Sequence, residues 1–198
     1  MTALEFLSVG GAGDAAVAVS AIARAQRDLG ATFAERDGWS VPISLPNENE
    51  HLTAVGVADL SHLTKLELRP AGEPIAGDGV VWYRISSRRA LVLSAATSAA
   101  AVRDQAGDRF ALDVTGAHAI VALVGPDAGT VLRRMTHIHH FPSGGEIAHV
   151  QGHVLERGGG YWIVCAQEYG EYVWEVAVDR ASALGGGPVG TDAWGHAL

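Results

Sequence analysis

Nine histidines invite a metal reading, above all the run His137-Ile138-His139-His140. In extended backbone His137 and His139 share a face, but zinc needs three or four converging ligands, each oriented from outside. No carboxylate or thiol lies nearby in sequence, and His149 and His153 can join only if folding brings them close. Ile138 and Phe141 flank the run ahead of Pro142, which describes a packed crossover, so no metal is assigned. Asp59 and Asp113 each stand two residues before a hydroxyl, in Asp59-Leu60-Ser61 and Asp113-Val114-Thr115. Capping of a local turn explains both, and one active site seldom needs the same group twice. Glu168, Glu171 and Glu175 fall at helical spacing, interleaved with Tyr169, Tyr172, Val173 and Trp174, giving an amphipathic segment with a solvated acidic stripe. Gly11-Ala12-Gly13-Asp14-Ala15-Ala16, with Glu35 further on, imitates a dinucleotide fingerprint. Asp14 would oppose the phosphates and no βαβ alternation follows, so a glycine turn into a capped helix is the better reading. No Gly-x-Ser-x-Gly, phosphate loop or Cys/His nucleophile pattern occurs. The single cysteine, Cys165, lies in an apolar run and reads as a small core residue.

The elements that must position these residues follow from pattern. With 198 residues, 48% of them hydrophobic, the chain can bury a full core. A net charge of −8 without any Lys/Arg run argues against nucleic acid as a partner. No apolar stretch is long enough to span a bilayer, and no basic residue precedes the first apolar run, so a cytoplasmic location and no membrane partner are expected. Asp14 suits the N-cap of a helix over 15–29 that Gly30 would stop, making 1–30 a helical extension. Residues 35–46, broken by Gly38, Pro42 and Pro46, read as a loop pinned by Trp39. A short helix is expected within 48–55, a half-buried strand around Leu63, Leu66 and Leu68, and a strand covered on both faces over 118–124. A helix follows at 128–135, hairpins at 80–94 and 153–166, helices at 95–105 and 169–183, and a weakly packed tail from 185.

These elements recur in order. Two units, about 55–108 and 109–184, each open on the Asp-x-hydroxyl motif and continue through strand, hairpin and helix. The second has a helix after Gly125-Pro126-Asp127-Ala128, whereas 73–79 in the first is a loop. The expected fold is α+β, two repeated units of antiparallel or mixed sheet with flanking helices.

Four segments in sequence carry a resemblance: Gly38-Trp39 with Val41-Pro42, EHLTAVGVADLSHLTKLEL at 50–68, WYRISSRRALVLSAAT at 82–97 and ALVGPDAGTVLRRMT at 122–136. Over 31–195 the chain resembles the glycine-cleavage T-protein, or aminomethyltransferase, family, with its folate-dependent demethylases and the folate-binding lobes of sarcosine and dimethylglycine oxidases. That resemblance implies α+β lobes around a tetrahydrofolate pocket, followed by a barrel for which this chain has no counterpart.

The resemblance also implies site residues. Asp78 matches one of the acidic pair that polarises the transferring amine, Ser94 stands where a folate-contacting Asn is usual, and Glu168 is the counterpart of the pterin-holding Glu. Trp39 is the candidate aromatic contact. The acidic pair is halved and the Gly-Tyr-Thr-Gly signature near Glu168 is absent, so the chemistry implied is incomplete. Tetrahydrofolate is the possible cofactor, with none tightly bound. The expected role is an accessory subunit beside a larger flavoprotein or methyltransferase subunit, similar in architecture to the gamma subunit of heterotetrameric sarcosine oxidase. A homo-oligomer, or a minimal tetrahydrofolate-dependent transferase or demethylase, is the alternative. Trp82, Trp174 and Trp194 are the aromatics expected to bury against a partner.

Overall fold

The computed structural model describes residues 17–193. The chain runs through β1 (Ala18–Val19), α1 (Ala23–Asp28), β2 (Thr32–Arg36), β3 (Trp39–Ser44), α2 (Glu48–His51), β4 (Gly56–Asp59), β5 (Thr64–Arg69), β6 (Val81–Ser86) and β7 (Arg89–Ser94). It continues through α3 (Ala99–Ala106), β8 (Phe110–Asp113), β9 (His118–Val124), α4 (Ala128–Arg133), β10 (Ser143–Ile147), β11 (Val150–Arg157), β12 (Gly160–Ala166), α5 (Gly170–Ser182) and β13 (Gly187–Pro188).

Two sheets carry the body of this mixed α+β fold, ordered β6-β7-β5-β8 and β10-β11-β12-β9-β4-β13. Each short strand crosses over: β4 pairs antiparallel with β9, while β8 pairs antiparallel with β5. The inner faces meet through Tyr83, Leu91 and Leu93 against Ile120, Ala122, Leu155, Trp162 and Val164. Outside the larger sheet, Val121, Leu123, Ile163 and Cys165 pack under Val131, Leu132, Val173, Trp174 and Ala177 of α4 and α5. Outside the smaller sheet, Leu66, Leu68, Ala90 and Val92 pack under Val102 and Ala106 of α3. The layers therefore read helix, sheet, sheet, helix. This explains why β9 is apolar at successive positions: Ile120 and Ala122 face one layer, Val121 and Leu123 the other.

The two Asp-x-hydroxyl motifs are matching turns. Asp59 Oδ1 accepts the Ser61 N–H at 2.9 Å, and Asp113 Oδ1 accepts the Thr115 N–H at 3.0 Å. Each turn then grips a strand from the other segment. The Leu60 N–H donates to Ile120 O while Ser61 Oγ accepts the Ile120 N–H. In the same way the Val114 N–H donates to Lys65 O while Thr115 Oγ1 accepts the Lys65 N–H.

Three expectations are corrected. Residues 15–29 are not one helix: Ala18 and Val19 pair parallel with Trp39 and Ser40, Ser20 Oγ accepts the Ile22 N–H, and helix begins only at Ala23. The 17–30 segment is thus tied into a sheet; Asp14 and the glycines before it lie outside the described residues. Residues 35–46 are a hairpin, turning at Asp37 and Gly38 with φ of 53° and 74°, the left-handed pair that a two-residue turn demands. Pro42 sits in the middle strand β3, but β1 reaches only Trp39 and Ser40, so no ladder partner is denied an N–H. Residues 187–189 are no loose tail either. Gly187 and Pro188 pair parallel with Gly56 and Val57, and Val189 is fully buried.

Candidate functional site

The four residues carried over by resemblance take separate positions. Asp78 is exposed in the turn before β6. Ser94 ends β7; by alternation it shares the α3-facing side of Ala90 and Val92, and it is buried. Glu168 is exposed in the single 3₁₀ turn between β12 and α5. Trp39 opens β3, half-buried, over a cleft shared with Ser20, Asp59 and His62 that leaves no room for a water molecule. No hydrogen bond, ion pair or ring contact joins any two of the four. A pterin needs its carboxylate and its aromatic wall on one cavity. The four lie on a loop, a helix-facing strand side, a turn and a narrow cleft, and none of them touches another.

Beneath Trp39 the first turn conceals an ionisable cluster. Lys65 is wholly buried, and its Nζ donates to the carbonyls of Ser61, Leu63 and Thr115 at 2.8, 3.0 and 3.1 Å. Burial lowers its pKa to about 8, opposed by the charges of Asp59 and Asp113. Burial raises the Asp59 pKa, against the hydroxyls of Ser61 and Ser20, and its Oδ2 has no hydrogen-bond partner. His62 is pushed down to about 4, first by burial and then by the positive charges of Lys65 and Arg36. Largely withdrawn from solvent, this cluster positions backbone through Lys65.

A second polar cluster lies where the inner faces of the two sheets meet, and it can do chemistry. Tyr83 on β6 places its hydroxyl 3.2 Å from His153 Nδ1 on β11, with the rings edge-on at 5.2 Å. Burial lowers the His153 pKa, helped by His118 and Arg89, and burial raises that of Tyr83. At neutral pH this is a neutral imidazole against a protonated phenol. With the tyrosine donating, Nδ1 accepts and Nε2 carries the ring proton; the other tautomer reverses both roles. His118 on β9 is also lowered, chiefly by burial. Across from it Glu67 is buried between Arg89 at 2.6 Å and Arg69 at 2.5 Å, and the Arg89 hydrogen bond leads in holding its carboxyl low. Both guanidiniums are thereby committed, so what this cluster offers a ligand is hydrogen bonding and a proton-accepting imidazole.

Sequence reasoning missed Tyr83, His118, Glu67 and Arg89. Alternation did carry a signal, since Tyr83 and Glu67 each occupy an inward position among apolar neighbours. Gly144 carried another: opposite His153 in the β10–β11 ladder, a Cβ there would meet His153 Nδ1 at 2.6 Å. Of the other histidines, His137, His139 and His140 are exposed, and His149 pairs with Glu146 at 3.2 Å. Among the described residues no three His, Cys, Asp or Glu side chains gather as a metal site. The expected partner-facing aromatics are also corrected. Trp174 is core at 2% exposure, Trp82 is half-buried beside the α3 core, and Trp194 lies outside the described residues.

No protein-family model matches the chain. An aminomethyltransferase of Saccharopolyspora erythraea is 26% identical over 147 residues, covering 54% of this chain and 40% of that protein. The chain therefore spans about two fifths of the curated relative it matches. Among solved structures it is similar to the glycine cleavage system aminomethyltransferase T of Bartonella henselae, with a TM-score of 0.69 and 18% identity over 90% of this chain and 61% of that one. It is also similar to a chain of the heterotetrameric sarcosine oxidase of Corynebacterium sp. U-96, with a TM-score of 0.56 and 17% identity over 70% of this chain and 90% of that one. The fold is T-protein-like, as the four sequence segments imply.

Proposed function

We propose that this T-protein-like chain is an accessory subunit of an N-methyl-amine oxidoreductase or demethylase complex, beside a larger flavoprotein or methyltransferase subunit. One observation carries the reading: the space between the two sheets is filled by the protein's own side chains, with Trp162, Leu155 and Tyr83 meeting Leu91 and Leu93. Side chains that meet face to face in this way form an ordinary close-packed interior between the sheets. The likenesses lend support in proportion. The fold takes in nearly all of a chain from a heterotetrameric oxidase, but only part of the aminomethyltransferases. The matching order of strands in the two sheets supports the reading of two repeated units. Native purification from the source organism tests the role. Stoichiometric co-elution with a larger subunit showing flavin absorbance or methyltransferase activity is expected, and elution as a lone monomer overturns it.

The alternative is a minimal tetrahydrofolate-dependent aminomethyltransferase or demethylase. The contact of Tyr83 with His153 favours it, because a neutral, half-buried imidazole can take up a proton. Asp78 and Glu168 would then have to close onto that pair when ligand arrives. Calorimetric titration of the isolated chain with tetrahydrofolate distinguishes the two readings. Saturable binding supports the transferase, and none at millimolar ligand removes it.

A further inference from the structure

On the far side of the larger sheet, a groove runs between the C-terminal end of α4, the 136–149 segment and α5, enclosing about 430 Å³. Tyr172, Val176 and Arg180 line it from α5 at successive four-residue intervals, so one helix face supplies an aromatic, an apolar and a cationic contact. Met135 and Ile138 complete the apolar floor, and Arg133, Arg134, His137 and His149 reach it from the other wall. The walls are held in place. Thr136 Oγ1 donates to Glu146 O at 2.6 Å, and the Ala148 N–H donates to Met135 O at 2.7 Å. The β10–β11 turn places both Ala148 and His149 in the left-handed region, at φ 48° and 66°, a conformation that side-chain-bearing residues hold at a cost of about 1 kcal/mol or more each.

The charge of this groove is opposite to that of the chain. Three guanidiniums line it against one carboxylate, Glu146, in a protein of net charge −8. Glu146 is occupied by His149 and Arg133 donates to Thr130, whereas Arg180 pairs with its neighbour Asp179 through Nη1 alone, leaving Nε and Nη2 without a partner among the described residues. The Arg134 side chain has no hydrogen-bond or ion-pair partner among the described residues. Like charges gathered over an apolar floor, with guanidinium donors left open, suit the planar, bidentate recognition of a phosphate or carboxylate. The volume falls within the range of small-molecule sites, roughly 300–1,000 Å³.

We propose that this groove binds a small organic anion, with an aromatic or other flat apolar body on Tyr172, Val176 and Ile138 and a phosphate or carboxylate group on Arg134 and Arg180. The site is separate from the Tyr83–His153 pair and does not depend on the accessory role. Fluorescence anisotropy of 1-naphthyl phosphate with the full chain tests it, using 1-naphthol as the neutral comparator. Saturable binding is expected, about tenfold weaker for the naphthol and about tenfold weaker in Arg134→Gln/Arg180→Gln, with Arg88→Gln unchanged. Thermal unfolding checks that the variants fold; should the double variant not, Arg134→Gln alone with a salt titration takes its place. The proposal is overturned by no saturable binding at millimolar protein, by equal affinity for naphthol, or by an affinity that neither the arginine substitutions nor salt changes.

Discussion

Thr115 and Lys65 hold one another twice over: Thr115 Oγ1 accepts the Lys65 backbone N–H at 3.0 Å, and buried Lys65 Nζ donates to the Thr115 carbonyl at 3.1 Å. The two turns thus lock the crossed strands β4 and β8 into place. Ser61→Ala and Thr115→Val should each destabilise by about 1 kcal/mol, the net worth of one buried hydrogen bond. Lys65→Met should cost more, about 2 kcal/mol or above. It leaves three carbonyls without their donor, and that loss outweighs relief of a buried charge. Urea unfolding of the three variants gives the order directly.

Acid should find His62. Its folded pKa of about 4 lies below the free value of 6.5, so the unfolded chain binds the proton more readily. The stability contributed by neutral His62 is complete above pH 6.5 and is lost as pH falls through 6.5 towards 4. Discounted for its partial exposure, the loss is about 2 kcal/mol. Asp59, with its raised pKa, works in the opposite direction, so the wild type must be compared with His62→Gln. The wild type should lose more stability than the variant between neutral pH and pH 4; equal losses refute the assignment.

Tyr83→Phe should destabilise by about 1 kcal/mol while leaving the ring packing intact. Gly144→Ala should move His153, because the added methyl would lie 2.6 Å from Nδ1. In imidazole NMR spectra, both substitutions should shift the His153 resonances and leave those of exposed His137 in place.

Cys165 is 2% exposed, with a thiol pushed up to about 12 chiefly by burial. It should resist a disulfide reagent in the native state and react at the rate of unfolding. Fast labelling under native conditions would contradict its place in the core.

Gly186→Ala should cost about 2 kcal/mol or more, because its Cβ would sit 2.2 Å from Val55 O, where β13 enters the sheet. A neutral effect on thermal unfolding would mean that the segment after 185 does not hold this position.

Local pattern reached far into this fold. The β9 run, the two Asp-x-hydroxyl turns, the hairpins and the helices after them depend on residues a few positions apart, and each stands where pattern puts it. The Asp37-Gly38 turn is equally local, but Pro42 and Pro46 are residues that usually break a strand, and β3 tolerates Pro42 because β1 reaches only Trp39 and Ser40. For Gly187 and Pro188 no local signal exists, since their strand forms only where Gly56 and Val57 present a free edge.

The sequence by itself determined the T-protein likeness, the motifs that carry it, and which stretches could become strand or helix. Those properties reside in neighbouring side chains and their periodicity. Tertiary structure decided what the stacking of layers brings about: it makes Tyr83 meet His153 and opens a cationic groove beside α5. Seventy positions separate Tyr83 from His153, and only the stacking of two sheets face to face brings them within hydrogen-bond reach.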